Sequence, residues 1–274
     1  MDRFQKHVSS RMVATTMIGA AALLVGLTGW AEAGIQPGTA PIMSSLDDGT
    51  VFIWDDFDDE AVGTKPGAEV WDWNSHPNQT PIVTDQSVTG VPSPGTNPNG
   101  HYVGFTSNDD NAILQDEGTN IGATGRVMTQ VMVYAGSDRT RAAEVELIGW
   151  SNTFRGTNLG IRANPDGTVD VLEWDTGSGD EVWASSPSLS AAFLEDAWQR
   201  WQIEADLGSG NSVTYRIGGA EDSSTIASDF NTINHLRGLS GGTDIFFDAV
   251  PEPATASLLA LGGLLGLRRR RREC

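Results

Sequence analysis

Trp201-Gln-Ile-Glu-Ala-Asp-Leu207 is the stretch that decides the fold, because its apolar and polar residues alternate without a break. Successive side chains of a strand point to opposite faces, so this alternation predicts a strand with one buried face. Gly208-Ser-Gly-Asn211 supplies turn residues, and Val213-Thr-Tyr-Arg-Ile217 follows as a second short β segment. The sequence therefore predicts an antiparallel hairpin whose inward face begins at Trp201.

Short β segments of the same kind recur from Val51 to Val250, separated by Gly, Pro, Asn and Asp. The turn Asn164-Pro-Asp-Gly167 predicts another hairpin, with Gly167 at the position that favours positive φ. Many short strands with such turns are typical of an all-β fold, and we expect a two-sheet jelly-roll sandwich over residues 51–250. The other predicted strands are Val51–Phe57, Val70–Asn74, Pro81–Thr84, His101–Thr106, Arg126–Tyr134, Ala142–Trp150, Leu159–Ala163, Thr168–Trp174 and Asp244–Val250.

Little of the chain predicts helix or flexible structure. Ser190–Ala197 is the best candidate for a short helix. Residues 34–50 are mostly small and polar and include two prolines, so they predict a flexible lead-in to the sandwich.

The N-terminus has the three parts of a secretory signal peptide over residues 1–33. A basic segment is followed by an apolar run from Met12 to Trp30, and Ala31-Glu32-Ala33 forms a small-residue cleavage motif. Cleavage after Ala33 would leave Gly34 as the mature N-terminus. Because the apolar run is slightly long, an uncleaved membrane anchor is the alternative interpretation.

The C-terminus, residues 251–274, predicts a membrane anchor with a stop signal. Pro251, Glu252 and Pro253 interrupt regular structure, and an apolar run that is mostly Ala, Leu and Gly follows from 256 to 267. Five arginines then end the run, and they would remain on the cytoplasmic side because arginine is costly to place in hydrocarbon. The arginines are Arg268, Arg269, Arg270, Arg271 and Arg272.

This order of Pro251-Glu252-Pro253, apolar segment and arginine cluster resembles the PEP-CTERM sorting domain of bacteria that make extracellular polysaccharide. The resemblance implies that the tail holds an exported protein in the cytoplasmic membrane until exosortase, a membrane-embedded enzyme, processes it. It also implies a final location at the cell surface or in the extracellular matrix. The two ends agree, since the positive flank of each apolar segment places residues 34–250 outside the cytoplasm.

The charge of the chain excludes two classes of partner. The formal net charge is −19 at pH 7, and residues 34–250 alone hold nine Lys and Arg against 32 Asp and Glu. Such a surface repels nucleic acid and anionic lipid. The only cysteine is Cys274, so no disulfide can hold the exported region together.

The exported region is also similar to the concanavalin-like and laminin-G-like jelly rolls. The matching pieces are Asp55-Asp56-Phe57, Trp198-x-x-Trp201 and Phe246-Phe247-Asp248. In such modules the first and last strands lie side by side, and a structural Ca²⁺ bridges them. The resemblance therefore implies a calcium site built from acids at both ends, and solvated strand ends are the alternative. The candidate ligands are Asp55, Asp56, Asp244 and Asp248.

Two further constellations bear on carbohydrate. Trp71 and Trp73 lie two residues apart, so one strand would present both indoles on one face, and sugar rings stack on such surfaces. Trp150 is the third candidate, and burial in the core is the alternative for all three. Related laminarinase-like hydrolases carry an E-x-D-x-E strand, whereas here only Glu144 and Glu146 share a face without a third acid.

The sequence as a whole predicts an exported, non-enzymatic β-sandwich with a structural or adhesive role and contact with extracellular polysaccharide. A secreted glycoside hydrolase of the laminarinase-like type is the enzyme-class alternative. A passenger whose only activity is to be processed is the third.

Overall fold

The computed structural model describes residues 39–67, 71–72, 81–94, 100–105, 113–116, 121–151, 156–175, 180–208, 210–226 and 230–251. Several sequence predictions lie outside these residues: the signal peptide with Ala31 and Ala33, Glu252, Pro253, the arginines 268–272, Trp73, and the side chain of Trp150. Over the part of the chain described here, we find no helix with the length and apolar character that a membrane crossing requires.

The described residues include eighteen strands and two short helices. The strands are β1 (Thr39–Ala40), β2 (Met43–Ser45), β3 (Val51–Ile53), β4 (Trp71–Asp72), β5 (Pro81–Thr84), β6 (Tyr102–Phe105), β7 (Ile113–Asp116), β8 (Arg126–Ala135), β9 (Ala143–Ser151), β10 (Gly156–Ala163), β11 (Val169–Asp175), β12 (Asp180–Ser185), β13 (Trp198–Asp206), β14 (Ser212–Ile217), β15 (Ala220–Thr225), β16 (Phe230–Ser240), β17 (Ile245–Asp248) and β18 (Val250–Pro251). The helices are α1 (Gln86–Thr89) and α2 (Pro187–Ala192).

Most of the described strands belong to two antiparallel sheets. One has seven strands in the order β12-β11-β10-β9-β16-β7-β4, and the other runs β15-β14-β13-β8-β17-β6-β5. In the second sheet β2 pairs with β8 and β3 pairs with β2. The remaining pair, β1 with β18, forms a separate two-stranded ladder.

The two sheets bury their apolar faces against each other. In β13 the residues Trp201, Ile203 and Ala205 are at most 1 % exposed, as the alternation predicted. Leu147 and Ile161 of the seven-stranded sheet belong to the same apolar cluster. Burial of such side chains contributes about 25 cal/mol per Å² of apolar surface and is the main stabilising term. The prediction of an all-β, two-sheet jelly-roll sandwich is thus confirmed.

Both predicted hairpins are present. β13 and β14 pair antiparallel with Trp201 opposite Ile217. At the other turn, Gly167 has φ of 83° and its N–H donates to the Asn164 carbonyl oxygen at 3.0 Å, which closes the connection between β10 and β11.

The flexible lead-in predicted for residues 34–50 is wrong over residues 39–45. β1 and β2 lie there, and Ile42 and Met43 are fully buried. β2 pairs with β8, with Met43 opposite Thr129. A strand of three residues leaves no periodic pattern, and one of its two partners, β8, lies about 85 residues later, so the sequence pattern alone does not identify it.

The predicted helix Ser190–Ala197 is displaced towards the N-terminus. Helix α2 begins after Ser186, whose Oγ accepts the Leu189 N–H, and Pro187 occupies its first turn. It ends at Phe193, which is extended. The serine cap and the proline at the first helical position set the start.

Candidate functional site

The first candidate site is a cluster of carboxylates, which we call the acidic cluster. It comprises the run that follows β3 and the last residue of β17. Its members are Asp55, Asp56, Asp58, Asp59, Glu60 and Asp248.

Asp55 is the buried centre of the acidic cluster and is 7 % exposed. Its Oδ2 accepts the indole N–H of Trp71 at 2.5 Å, and its Oδ1 accepts the Phe57 N–H at 2.8 Å. Phe57 has φ of 56° and stacks on Trp71 with ring centroids 5.9 Å apart, so the turn aims Asp55 inwards. Burial raises the pKa of the Asp55 carboxyl to about 6, and the two hydrogen bonds oppose this rise.

Glu60 and Asp59 extend the cluster towards the surface. One oxygen each of Asp55, Asp59 and Glu60 lies within 4.8 Å of the other two. Glu60 Oε1 accepts the Gly67 N–H at 2.8 Å, whereas its buried Oε2 has no hydrogen-bond partner among the described residues. Burial, followed by the charge of Asp55, raises the pKa of Glu60 to about 7.

Asp248 reaches the same region from β17. It is 7 % exposed, and its Oδ1 accepts the Ala249 N–H at 2.7 Å. Burial raises its pKa well above the ordinary value, and the charges of Asp58, Asp56 and Asp55 add to the effect. Ionising Asp55, Glu60 and Asp248 at once is unfavourable, so these carboxyls favour bound protons or a cation.

The predicted calcium ligand set is wrong in one member. Asp244 is exposed and precedes β17, where its carbonyl oxygen accepts the Gly136 N–H at 2.8 Å. Four residue steps along the chain separate Asp244 from Asp248, a distance of about 13 Å in an extended strand. The predicted first and last strands, which correspond to β3 and β17, do not pair with each other, since β17 lies between β6 and β8. The strands that do pair at the two ends are β1 and β18.

The acids that could hold a hard cation are therefore Asp55, Asp59 and Glu60, with Asp248 and Asp56 beside them. Carboxylate oxygens suit Ca²⁺, which takes six to eight such ligands. Asp59 and Glu60 belong to the same acidic run in the sequence as Asp55, and this run is the sequence feature that could have indicated them as candidate ligands.

The second candidate site lies on the outward face of the seven-stranded sheet, and we call it the sheet-face cluster. Arg162 of β10 lies opposite Glu144 of β9 and Asp170 of β11. In the next row on the same face, Gly160 lies opposite Glu146, and Leu172 lies opposite Trp183 of β12. The members of the sheet-face cluster are Glu144, Glu146, Arg162, Asp170 and Trp183.

Arg162 is fixed at the centre of the sheet-face cluster. Its guanidinium lies 3.0 Å from Asp170 Oδ2 and 4.0 Å from Glu144 Oε1. The guanidinium carbon also lies 4.3 Å from the ring centroid of Trp183, which is a cation–π contact. Since the side chain is 26 % exposed, these ion pairs orient the groups more than they stabilise the fold.

Trp183 reaches across two strands because residue 160 is glycine. A Cβ at Gly160 would lie 2.8 Å from Cη2 of the indole, so any other residue would force the ring to shift from this position. No local sequence pattern predicts this contact, since Gly160 and Trp183 lie on β10 and β12, which are not neighbouring strands.

The prediction that Trp71 binds glycan is wrong. Its side chain is fully buried and packs on Phe57, so it presents no face to a sugar. Trp73 and the side chain of Trp150 lie outside the described residues.

The comparisons with known proteins concern first the tail. Residues 249–272 match the family model of the PEP-CTERM protein-sorting motif. A PEP-CTERM sorting motif is therefore present. It implies an exported protein with a C-terminal membrane-anchoring sorting signal that exosortase processes. The match begins at Ala249, so its first residues overlap the last described strand.

Three solved structures illustrate the distant similarity of the sandwich. The alginate lyase vAL-1 from Chlorella virus has 12 % identity, a TM-score of 0.39, and coverage of 72 % of this chain and 89 % of its own. Chicken galectin 2 has 10 % identity, a TM-score of 0.31, and coverage of 49 % of this chain and 92 % of its own. The CBM2 module of the evolved Dit of Lactobacillus casei BL23 phage J-1 has 12 % identity, a TM-score of 0.33, and coverage of 68 % of this chain and 78 % of its own. No curated protein sequence matches significantly. With TM-scores below 0.5, none of these structures supports an inference about function.

Proposed function

We propose that the protein is an exported, non-enzymatic β-sandwich that exosortase releases to the cell surface or extracellular polymer matrix, where it has a structural or adhesive role. The observation that carries this proposal is the continuity of the sandwich with its sorting signal. β17 ends at Asp248, and β18 already contains Pro251 of the motif. The folded domain is therefore the cargo that the tail sorts.

The adhesive part of the role uses the sheet-face cluster to bind glycan. Sugar rings stack their C–H faces on indoles such as Trp183, and sugar hydroxyls donate hydrogen bonds to carboxylates such as Glu146. Arg162 is already neutralised by Glu144 and Asp170. Together with the acidic charge of the exported region, this favours a neutral glycan over a polyanion.

Glycan arrays with Trp183→Ala test this binding site. We expect the variant to lose binding by about two- to twelvefold, because aromatic stacking contributes on the order of 0.5–1.5 kcal/mol. Val182→Ala is the matched control, since Val182 is exposed on the same strand and points to the opposite face. Equal binding by wild type and Trp183→Ala would reject the site, and no binding by wild type to any glycan would favour the passenger interpretation.

A glycoside hydrolase is the alternative that one observation favours, because Glu144 and Glu146 share a face with Trp183. Their Cα atoms are about 6.7 Å apart along the strand, and retaining enzymes place two carboxyl groups about 5–5.5 Å apart. We expect no reducing sugar from a polysaccharide panel. Release that is lost in Glu144→Gln or Glu146→Gln would replace the proposed role with catalysis.

A further inference from the structure

The two ends of the sandwich meet in one small ladder, which we call the terminal clamp. β1 pairs antiparallel with β18, so that Thr39 lies opposite Pro251 and Ala40 lies opposite Val250. Ala249 and Val250 are 2 % and 6 % exposed. The first three residues that match the sorting motif, 249–251, are therefore part of the folded domain.

β1 is held firmly by the residues that follow it. Ile42 and Met43 are fully buried, and the Ile42 carbonyl oxygen accepts the Gln130 N–H at 2.8 Å. β2 then pairs with β8. Because this anchoring lies outside the ladder, opening the terminal clamp means moving β18 away from a fixed β1.

We propose that the terminal clamp controls access of the processing enzyme to the sorting motif, so that β18 must separate from β1 before the motif is processed. A peptidase binds its substrate as an extended, unpaired chain, whereas Val250 and Pro251 are paired with β1. Cleavage near a folded segment then depends on the local opening equilibrium. This inference rests on the proposed sorting by the tail.

The short distance from the clamp to the anchor makes this opening necessary. Five peptide steps separate Pro251 from Ala256, where the apolar run begins, and they span at most about 18 Å. The clamped end of the sandwich must therefore face the membrane and the enzyme embedded in it. Separation of β18 adds a few residues of reach, so that the cleavage segment can enter an active site.

A disulfide across the ladder tests the clamp directly. Ala40 and Val250 lie directly opposite each other, and opposite residues of an antiparallel pair have Cα separations that a disulfide accepts. In cells with exosortase, we expect Ala40→Cys/Val250→Cys to slow the conversion of precursor to mature protein by about tenfold or more, since cleavage follows the open population. Reductant should restore the wild-type rate. The matched control is Ala40→Ser/Val250→Ser, which preserves side-chain size without the cross-link.

A second variant moves the rate in the opposite direction. Ala40→Pro removes a backbone donor from β1, so the clamp opens more readily and conversion should become several-fold faster, as the open population rises. Unchanged conversion in the oxidised double-cysteine variant would overturn the inference, whatever Ala40→Pro does. If wild type itself is never processed, the sorting proposal fails instead, and the two failures are thereby distinguished.

Discussion

Replacing Trp71 by alanine should lower the free energy of unfolding by about 4 kcal/mol, the range measured for large aromatic residues in cores. The indole is fully buried against Phe57, and it donates to Asp55. Its loss leaves a cavity and removes a hydrogen bond from a buried carboxylate, and both effects destabilise the fold. Urea unfolding followed by far-UV circular dichroism measures the change.

Trp183→Ala is the contrasting variant for this experiment, because Trp183 is only partly buried on the outward sheet face. We expect it to cost about 1 kcal/mol or less, as is usual for surface changes. Trp71→Phe should recover part of the packing without the hydrogen bond. Its loss of unfolding free energy should therefore lie between those of Trp71→Ala and Trp183→Ala. A Trp71→Ala protein that keeps its stability and loses glycan binding would show that Trp71 is a surface residue after all.

The second large effect concerns how stability depends on pH. In the absence of divalent cations, the free energy of unfolding should increase as pH falls from 7.5 to 5.5. The folded-state pKa values of Asp55 and Glu60, about 6 and about 7, lie above their ordinary values. The native state therefore holds protons that the unfolded state releases, and stability is lost as pH rises from about 4 to 7. Asp55 alone accounts for about 2–3 kcal/mol between pH 4 and 7, since one pKa unit corresponds to about 1.4 kcal/mol, and about 1 kcal/mol of this falls between pH 5.5 and 7.5.

Thermal unfolding across this pH range, with and without calcium, measures the effect. Glu60→Gln should flatten the profile, because its amide can keep the Gly67 contact and donate towards the carboxylates. Asp138→Asn, at an exposed turn position, is the control that should leave the pH profile unchanged.

If calcium occupies the acidic cluster, it should raise the unfolding midpoint at pH 7.5 and remove the pH dependence. A midpoint that is unchanged by calcium or chelator rejects a strongly stabilising metal site, and stability that rises with pH contradicts the assignment of buried protons.

The sheet architecture could be predicted wherever the pattern is local. The alternation from Trp201 to Leu207 and the turn at Asn164–Gly167 specify strands and hairpins from neighbouring residues alone. β1 and β2 could not be predicted, because each is only two or three residues long and pairs with a strand more than 80 residues away. Sequence patterns also do not show which strands become neighbours. The position of β17 between β6 and β8, rather than beside the first predicted strand, is an example.

The candidate sites show the same limit at the level of side chains. The acidic run after β3 was visible in the sequence, but the choice between Asp244 and Asp248 depended on which end of β17 faces that run. Trp71 carries the same sequence signal whether it lies on the surface or in the core. The contact between Trp183 and Gly160 depends on the register of three strands, which no local pattern encodes.

Mass spectrometry of the mature protein, from cells with and without exosortase, tests the central claim most directly. With the enzyme, we predict an exported chain that begins at Gly34 and lacks Arg268 to Arg272. Without it, the precursor should remain in the membrane with the arginine cluster attached. A soluble cytosolic protein that retains both Met1 and the arginines in either strain would contradict the account.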